Sequence, residues 1–343
     1  MTTSVLLNTL YVGTEGAYVC LENDQVRVEV EGQKRLQVPL HHLGSIVLIG
    51  RVAISMPLIA RCAEDGRSVV LMTEHGRFQA RVLGKTTGNV LLRKCQYDFH
   101  ADEGRSLEFA RTIVAAKIQN SRQVLLRTRR DAKPETQPVF SEAIHVLEQE
   151  LAKVPIARTL DEIRGCEGRA AQAYFDVFDP MITTQRADFR FDGRSRRPPR
   201  DRTNAILSFL YTLWTNDCVA ALEGVGLDPQ FGILHTLRPG RPGLALDLVE
   251  EFRAIILDRL CLTLINRRQV QAEDVQPREG GSVLLTDQGR KKVLVAYQER
   301  KRDLATHPML KQKIPIGLLP HVQARLMARA FRGDIPCYAP YQP

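Results

Sequence analysis

A chain of 343 residues, 44% apolar and 25% charged, is long enough for two domains and apolar enough to bury real cores, which excludes a disordered tail. Its 48 basic against 39 acidic residues give a net charge of +9, which suits a polyanionic partner without proving one. Seven scattered cysteines with no CxxC pair exclude a disulfide framework and a zinc knuckle, and point to a reducing, cytoplasmic compartment.

Residues 1–83 read as short strands: "SVLLNTLYV", "AYVCLEN", "QVRVEVEG", "KRLQVPL" and "SIVLIG", parted by Gly, Asn-Asp and Gly-Gln turn signals. In "QVRVEVE", Val26, Val28 and Val30 share one face while Arg27, Glu29 and Glu31 share the other, as in a half-buried strand. Ser55 is placed to cap a short helix that stops at Gly66, and "SVVLMT" and "GRFQARVL" add two more strands. Strands around one small helix predict a β-sandwich-like domain.

Residues 84–88 read as a hinge. Beyond it the apolar period becomes helical, predicting helices over 89–99, 106–130, 138–154, 159–177, 201–223, 244–266, 288–304 and 318–331. The expected class is therefore α+β: the small β-rich domain, then a larger all-helical domain over 89–343. No basic-then-apolar leader is read at the start, and no apolar run approaches the roughly 18 residues of a membrane span, so no membrane partner is expected.

Residues 186–202, "RADFRFDGRSRRPPRDR", hold seven arginines against three aspartates, with Gly193 and Pro198-Pro199 opposing a helix. This is either a solvated loop or a phosphate grip using Arg194, Arg196, Arg197 and Arg200. Tyr211 and Trp214 in "SFLYTLW" either fill a core at helical spacing or stack on a base. His41, His42 and His100 read as surface or turn residues. "RTRRD", at 127–131, reads as cations completing a helix C-terminus.

Two stretches carry acids with chemical potential. "RGCEGRAAQAYF" sets Glu167 before Gly168, a helix-interior glycine that costs about 1 kcal/mol against alanine unless close packing or a ligand needs it. "LHTLRPGRPGLALDLVEEFR" follows His235 with Asp247 and Glu250, i and i+3 on one helix face. Taken alone, those acids are equally explained as residues complementing a helix N-terminus. Together, Glu167, His235 and Asp247 make a ligand set for Mg²⁺ or Mn²⁺, with Glu250 as a fourth, less certain ligand. Arg238, Arg241 and Arg253 crowd the same stretch and suit the scissile phosphate or its neighbours. Glu251 is left to solvent.

"RGCEGRAAQAYF", "DRTNAILSFLYTLWTNDCVAALEGVGLDPQFGILH" and "RPGLALDLVEEFR", in that order and spacing, resemble the CRISPR-associated protein one family, the integrase-endonucleases of spacer acquisition. The layout looks most like members from type I systems, subtype I-C among them. The resemblance implies that Glu167, His235 and Asp247 match the family's metal-binding glutamate, histidine and aspartate. At Glu250 many members carry a further acid, often aspartate. It also implies insertion of short DNA fragments into a CRISPR array, by attack of a fragment 3′-hydroxyl on a repeat phosphodiester. The implied partners are double-stranded DNA with single-stranded ends, CRISPR repeat DNA, a second copy of the chain joined through the β-rich domain, and the small second adaptation protein as a bridging dimer. Two rivals stand beside this reading. One is a non-enzymatic basic scaffold for DNA or RNA. The other is a small-nucleotide phosphohydrolase, which the lack of a GxxxxGK[ST] loop disfavours.

Overall fold

The computed structural model describes residues 9–74, 78–82, 84, 90–195, 198–278 and 280–343. The chain divides into two units, Met1–Gly88 and Asn89–Pro343. Residues 85–88 of the expected hinge lie outside the described residues.

In the first unit the strands are β1 (Thr9–Val12), β2 (Tyr18–Glu22), β3 (Gln25–Val30), β4 (Gln33–Pro39), β5 (Ser45–Ile49) and β6 (Ala53–Ile54), followed by α1 (Met56–Glu64), β7 (Ser68–Met72) and β8 (Phe78–Val82). They form two four-stranded sheets, ordered β4-β3-β2-β6 and β1-β5-β7-β8. The first rests on two hairpins whose turns, Asn23-Asp24 and Glu31-Gly32, both place two successive residues at positive φ, the twist-matched geometry for tight hairpins. In the second, β1, β5 and β7 run parallel, with α1 in the crossover from β5 to β7. The strand spacing predicts a β-sandwich-like domain and gives no strand directions; the core of the second sheet is parallel. Its reason is visible in β5, where Ile46, Val47, Leu48 and Ile49 are all buried, so the strand shows no alternation and sits inside the sheet. Val19, Val26, Ile46, Leu48, Leu58 and Val69 join both sheets and α1 in one core. Ser55 caps α1 by accepting from Leu58 N at 3.4 Å.

The second unit contains α2 (Val90–Ala101), α3 (Glu103–Asp131), α4 (Gln137–Lys153), α5 (Leu160–Asp176), α6 (Arg202–Val225), α7 (Gly243–Glu250) and α8 (Arg259–Asn266). These are followed by β9 (Val275–Pro277), β10 (Val283–Leu285), α9 (Asp287–Arg302), β11 (Leu304–His307), β12 (Gln312–Pro315) and α10 (Leu319–Arg332). The expectation of an all-helical domain is corrected by two short antiparallel ribbons, β9–β10 and β11–β12. Leu304, expected as the end of a helix, instead opens β11 and pairs with Pro315. The expected helix over 244–266 is also not continuous, because a π-helical turn, Arg253–Asp258, separates α7 from α8.

Helices α3, α4 and α5 pack together, and α6 runs through the core. Trp214 is fully buried, with the rings of Phe252 and Tyr297 at 5.4 and 6.2 Å, so the core-packing alternative describes it. Against the sequence expectation, one described helix, α6, is long and apolar enough to cross a membrane by length and composition. Yet 61% of its apolar window is buried within the protein. It also carries the buried Asn204, whose amide reaches Gly193 O at 2.8 Å.

Candidate active site

Helix α7 and the loop before it are held together by two glycines. A Cβ on Gly232 would meet the Gly243 carbonyl carbon at 2.5 Å, and one on Gly243 would meet Gln230 O at 2.9 Å, so the two backbones touch only because neither bears a side chain. That contact folds residues 233–235 back over Asp247. The Asp247 carboxylate, fully buried, accepts from the backbone N–H groups of Ile233 (2.7 Å), Leu234 (3.2 Å) and His235 (3.0 Å). His235 Nδ1 lies 2.6 Å from Asp247 Oδ1. A carboxylate has about four acceptor sites, and these four donors fill them. An acceptor-only partner at Nδ1 requires the ring to donate there, which leaves the Nε2 lone pair free on the far side.

Across from Nε2, at 3.7 Å, is Glu250 Oε1. Glu250 is 3% exposed and sits between Arg253 Nη2, 3.0 Å from Oε1, and Lys117 Nζ, 2.6 Å from Oε2. The same Lys117 ammonium, from the middle of α3, also pairs closely with Glu167 of α5. Burial alone would push the Glu250 carboxyl up, but Arg253, Lys117 and His235 together hold it down at about 2. Lys117 meets Oε2 off the direction a hydrogen bond needs, so this buried oxygen has no in-line donor.

The structure therefore brings Glu167, His235 and Glu250 to one place, and it redirects Asp247. The oxygens of Asp247, expected as a ligand, are taken up in holding the 233–235 backbone and the imidazole. Glu250, expected as the less certain ligand, is the acid of α7 that faces His235 Nε2. Among the described residues, no three acidic, histidine or cysteine side chains form a closed ligand set as they stand, since the carboxylates converge on the Lys117 ammonium. The donors nonetheless suit a hard divalent cation: carboxylate oxygens from Glu167 and Glu250, one of them lacking an in-line donor, and one imidazole nitrogen.

Glu251 is the clearest miss. Expected in solvent, it is fully buried, and burial raises its carboxyl to about 7, against the pull of hydrogen bonds from Tyr338, Tyr341 N and Gln323. His100, expected at the surface, belongs to α2 and is half-buried, its ring 4.9 Å from that of Phe231. Gly168 has no heavy atom within 4 Å of a built Cβ, so close packing does not explain it.

The arginines expected on DNA divide into two groups. Arg253 points inward to Glu250, and Arg194 bonds Asn204 and Ser208. The two guanidiniums lie over the Tyr211 ring at 4.9 and 5.1 Å, and the Tyr211 hydroxyl donates to the buried Asp258 at 2.5 Å. Arg194 and Arg253 are thus tied into the protein's own framework, and Tyr211 is a core residue. Arg200 and Arg238 are exposed and Arg241 is half-buried, while Arg196 and Arg197 lie outside the described residues. Sequence reasoning missed Lys117 altogether. Its only signal is a lysine set between Ala116 and Ile118, both buried, on a long amphipathic helix.

Comparison with known proteins agrees with this layout. The model of the family described as CRISPR associated protein Cas1 matches residues 10–299. The CRISPR-associated endonuclease Cas1 1 of Moorella thermoacetica is 51% identical over 338 residues, covering 98% of both chains. A solved Cas6-RT-Cas1–Cas2 complex gives a TM-score of 0.84 at 21% identity over 98% of this chain, which spans 36% of that longer one. A casposase bound to integration product gives a TM-score of 0.83 at 20% identity, over 96% of this chain and 92% of that one. At such identities these two structures show the fold: a strand-rich N-terminal region and a helical C-terminal region.

Proposed function

The chain belongs to the CRISPR-associated protein Cas1 family, and from that membership we propose that it is a metal-dependent DNA endonuclease and integrase that joins short DNA fragments to CRISPR repeat DNA. The observation that carries the proposal is the meeting of Glu167 and Glu250 on the Lys117 ammonium, which neutralises them, with the free Nε2 of His235 facing Glu250. When bound there, Mg²⁺ or Mn²⁺ supplies Lewis acidity that makes a hydroxyl a better nucleophile and offsets charge at phosphorus. Glu167 and Glu250 would hold the cation through oxygen and His235 through Nε2. Asp247 keeps the imidazole in the right tautomer and orientation. In the joining step a fragment 3′-oxygen forms the new P–O bond, the repeat's own P–O bond breaks, and the departing 3′-oxygen takes a proton. Arg200 and Arg238 are exposed, and in this reading they meet backbone phosphates.

We assign as partners a second copy of the chain and the small second adaptation protein. The solved complex with this fold contains Cas2, which favours the latter. A type I system, subtype I-C among the candidates, accords with the plain two-region layout. The test is strand transfer into a repeat-bearing plasmid with Mg²⁺ or Mn²⁺, with and without the small partner. Wild type is expected to join and E167Q, H235A and E250Q to fail. Joining that survives all three substitutions would refute the site.

A further inference from the structure

A second cationic feature lies on the same unit, away from the carboxylates. Arg127 of α3, Arg259 of α8 and Arg300 of α9 converge on one cavity of about 160 Å³, whose walls include Ile256, Leu319 and Tyr341. Arg127 is ten residues beyond Lys117 on a continuous helix, which puts the two positions about 15 Å apart along its axis. Among the described residues, Arg127 and Arg259 form neither a side-chain hydrogen bond nor an ion pair, while Arg300 meets Asp303 at 2.9 Å. Burial, and then the neighbouring Arg127 and Arg300, hold Arg259 below the usual guanidinium range. Two guanidiniums with no acidic side chain of their own, gathered at one concavity beside a third that is shared with Asp303, favour an anion there.

We infer that this cavity is a binding site for a phosphate monoester, distinct from the carboxylate site and independent of the proposed reaction. A phosphate monoester carries a charge of roughly −1.5 to −2 and three terminal oxygens, enough to engage three guanidinium forks. A carboxylate offers one charge and two oxygens, and would leave part of the cluster uncompensated. The apolar walls accommodate the carbon skeleton to which such a phosphate is attached. Inorganic phosphate and the terminal phosphate of a nucleotide share this chemistry.

The experiment is calorimetric titration of the full chain in EDTA and low salt with inorganic phosphate, thymidine 5′-monophosphate, thymidine and acetate. EDTA and an E167Q control keep the carboxylate site out of the reading, so its failure and the failure of this inference are separable. Both phosphates are expected to bind wild type and E167Q alike, and thymidine and acetate to give no heat. R259Q and R127Q should each weaken phosphate about tenfold or more, the loss expected for a charge-assisted contact. Tighter binding of the nucleotide than of inorganic phosphate assigns the cavity to nucleotide-borne phosphate, and equal binding assigns it to the free anion. Either result upholds the site. Arg127 and Arg259 are both exposed, and if one variant fails to fold by circular dichroism the other carries the test. Phosphate affinity unchanged in the folded variants, acetate binding as well as phosphate, or no phosphate binding by wild type would overturn it.

Discussion

Replacing Asp247 by asparagine tests the division of labour inside the site. The native carboxylate accepts from three backbone N–H groups and from His235 Nδ1. An asparagine oxygen facing Ile233 and Leu234 keeps two of these bonds, but its amide then points N–H groups at two more donors. His235 can relieve one conflict by shifting its proton to Nε2, which makes Nδ1 the acceptor. The His235 backbone N–H stays stranded in a buried position, at a cost of about 1.5–3 kcal/mol. With a Tm shift of about 2–4 °C per kcal/mol for a unit of this size, D247N should melt about 3–12 °C below wild type. The tautomer shift also removes the nitrogen lone pair that faces Glu250, so Mn²⁺ affinity should fall by roughly 10–100-fold while some binding persists. The assays are thermal denaturation in EDTA and calorimetric Mn²⁺ titration, run beside E250Q. Stability and affinity both equal to wild type would refute the orienting role. Loss of Mn²⁺ binding as complete as in E250Q, with stability unchanged, would return Asp247 to the ligands.

Three further outcomes follow from the same geometry. Removing the Lys117 ammonium leaves two carboxylates facing one another around a buried position. K117M should therefore lose about 3 kcal/mol or more in EDTA, and recover much of it with Mn²⁺, by thermal denaturation under both conditions. Burial raises the Asp258 carboxyl to about 6, against the pull of the Tyr211 hydrogen bond and Arg253. A folded pKa above the unfolded value of about 3.9 means that Asp258 stabilises fully below pH 4, and that this stability is lost as pH rises through 6. The wild type should thus lose up to about 3 kcal/mol more than D258N between pH 4 and pH 8, measured by urea denaturation, and parallel pH profiles would refute this. Finally, G168A meets open space and should gain about 0.5–1 kcal/mol of stability. If Gly168 serves a closely approaching DNA strand, its strand-transfer rate should fall even as its Tm rises, and a rise in both would leave the glycine without that role.

Much of this protein was legible from local pattern. The strand alternation at Val26 and Val28, the Ser55 cap and the helical periods of α2 to α6 are effects of neighbours within a few residues, and they recur in the structure. The motifs also singled out Glu167, His235 and Asp247, with Glu250 beside them as a less certain fourth. What local pattern leaves open is rotation and partner. Asp247, Glu250 and Glu251 are three acids within five residues, and nothing local says which faces the loop, which the cation position and which the C-terminal segment. The interruption of α7 by a π-helical turn, together with the packing of Gly232 on Gly243, decides that. Lys117 stands fifty residues from Glu167 and more than a hundred from Glu250, in a stretch with no motif, and enters the site only because α3 packs beside α5 and α7. Arg194 and Arg253 looked like DNA contacts because arginine is soluble and basic. Only the buried ring of Tyr211 and the carboxylate of Glu250 make them internal. The sequence by itself determined which elements form and which chemical groups are present. The tertiary structure decided which of those groups meet, because contact between distant segments depends on how whole helices pack and not on the residues beside each group.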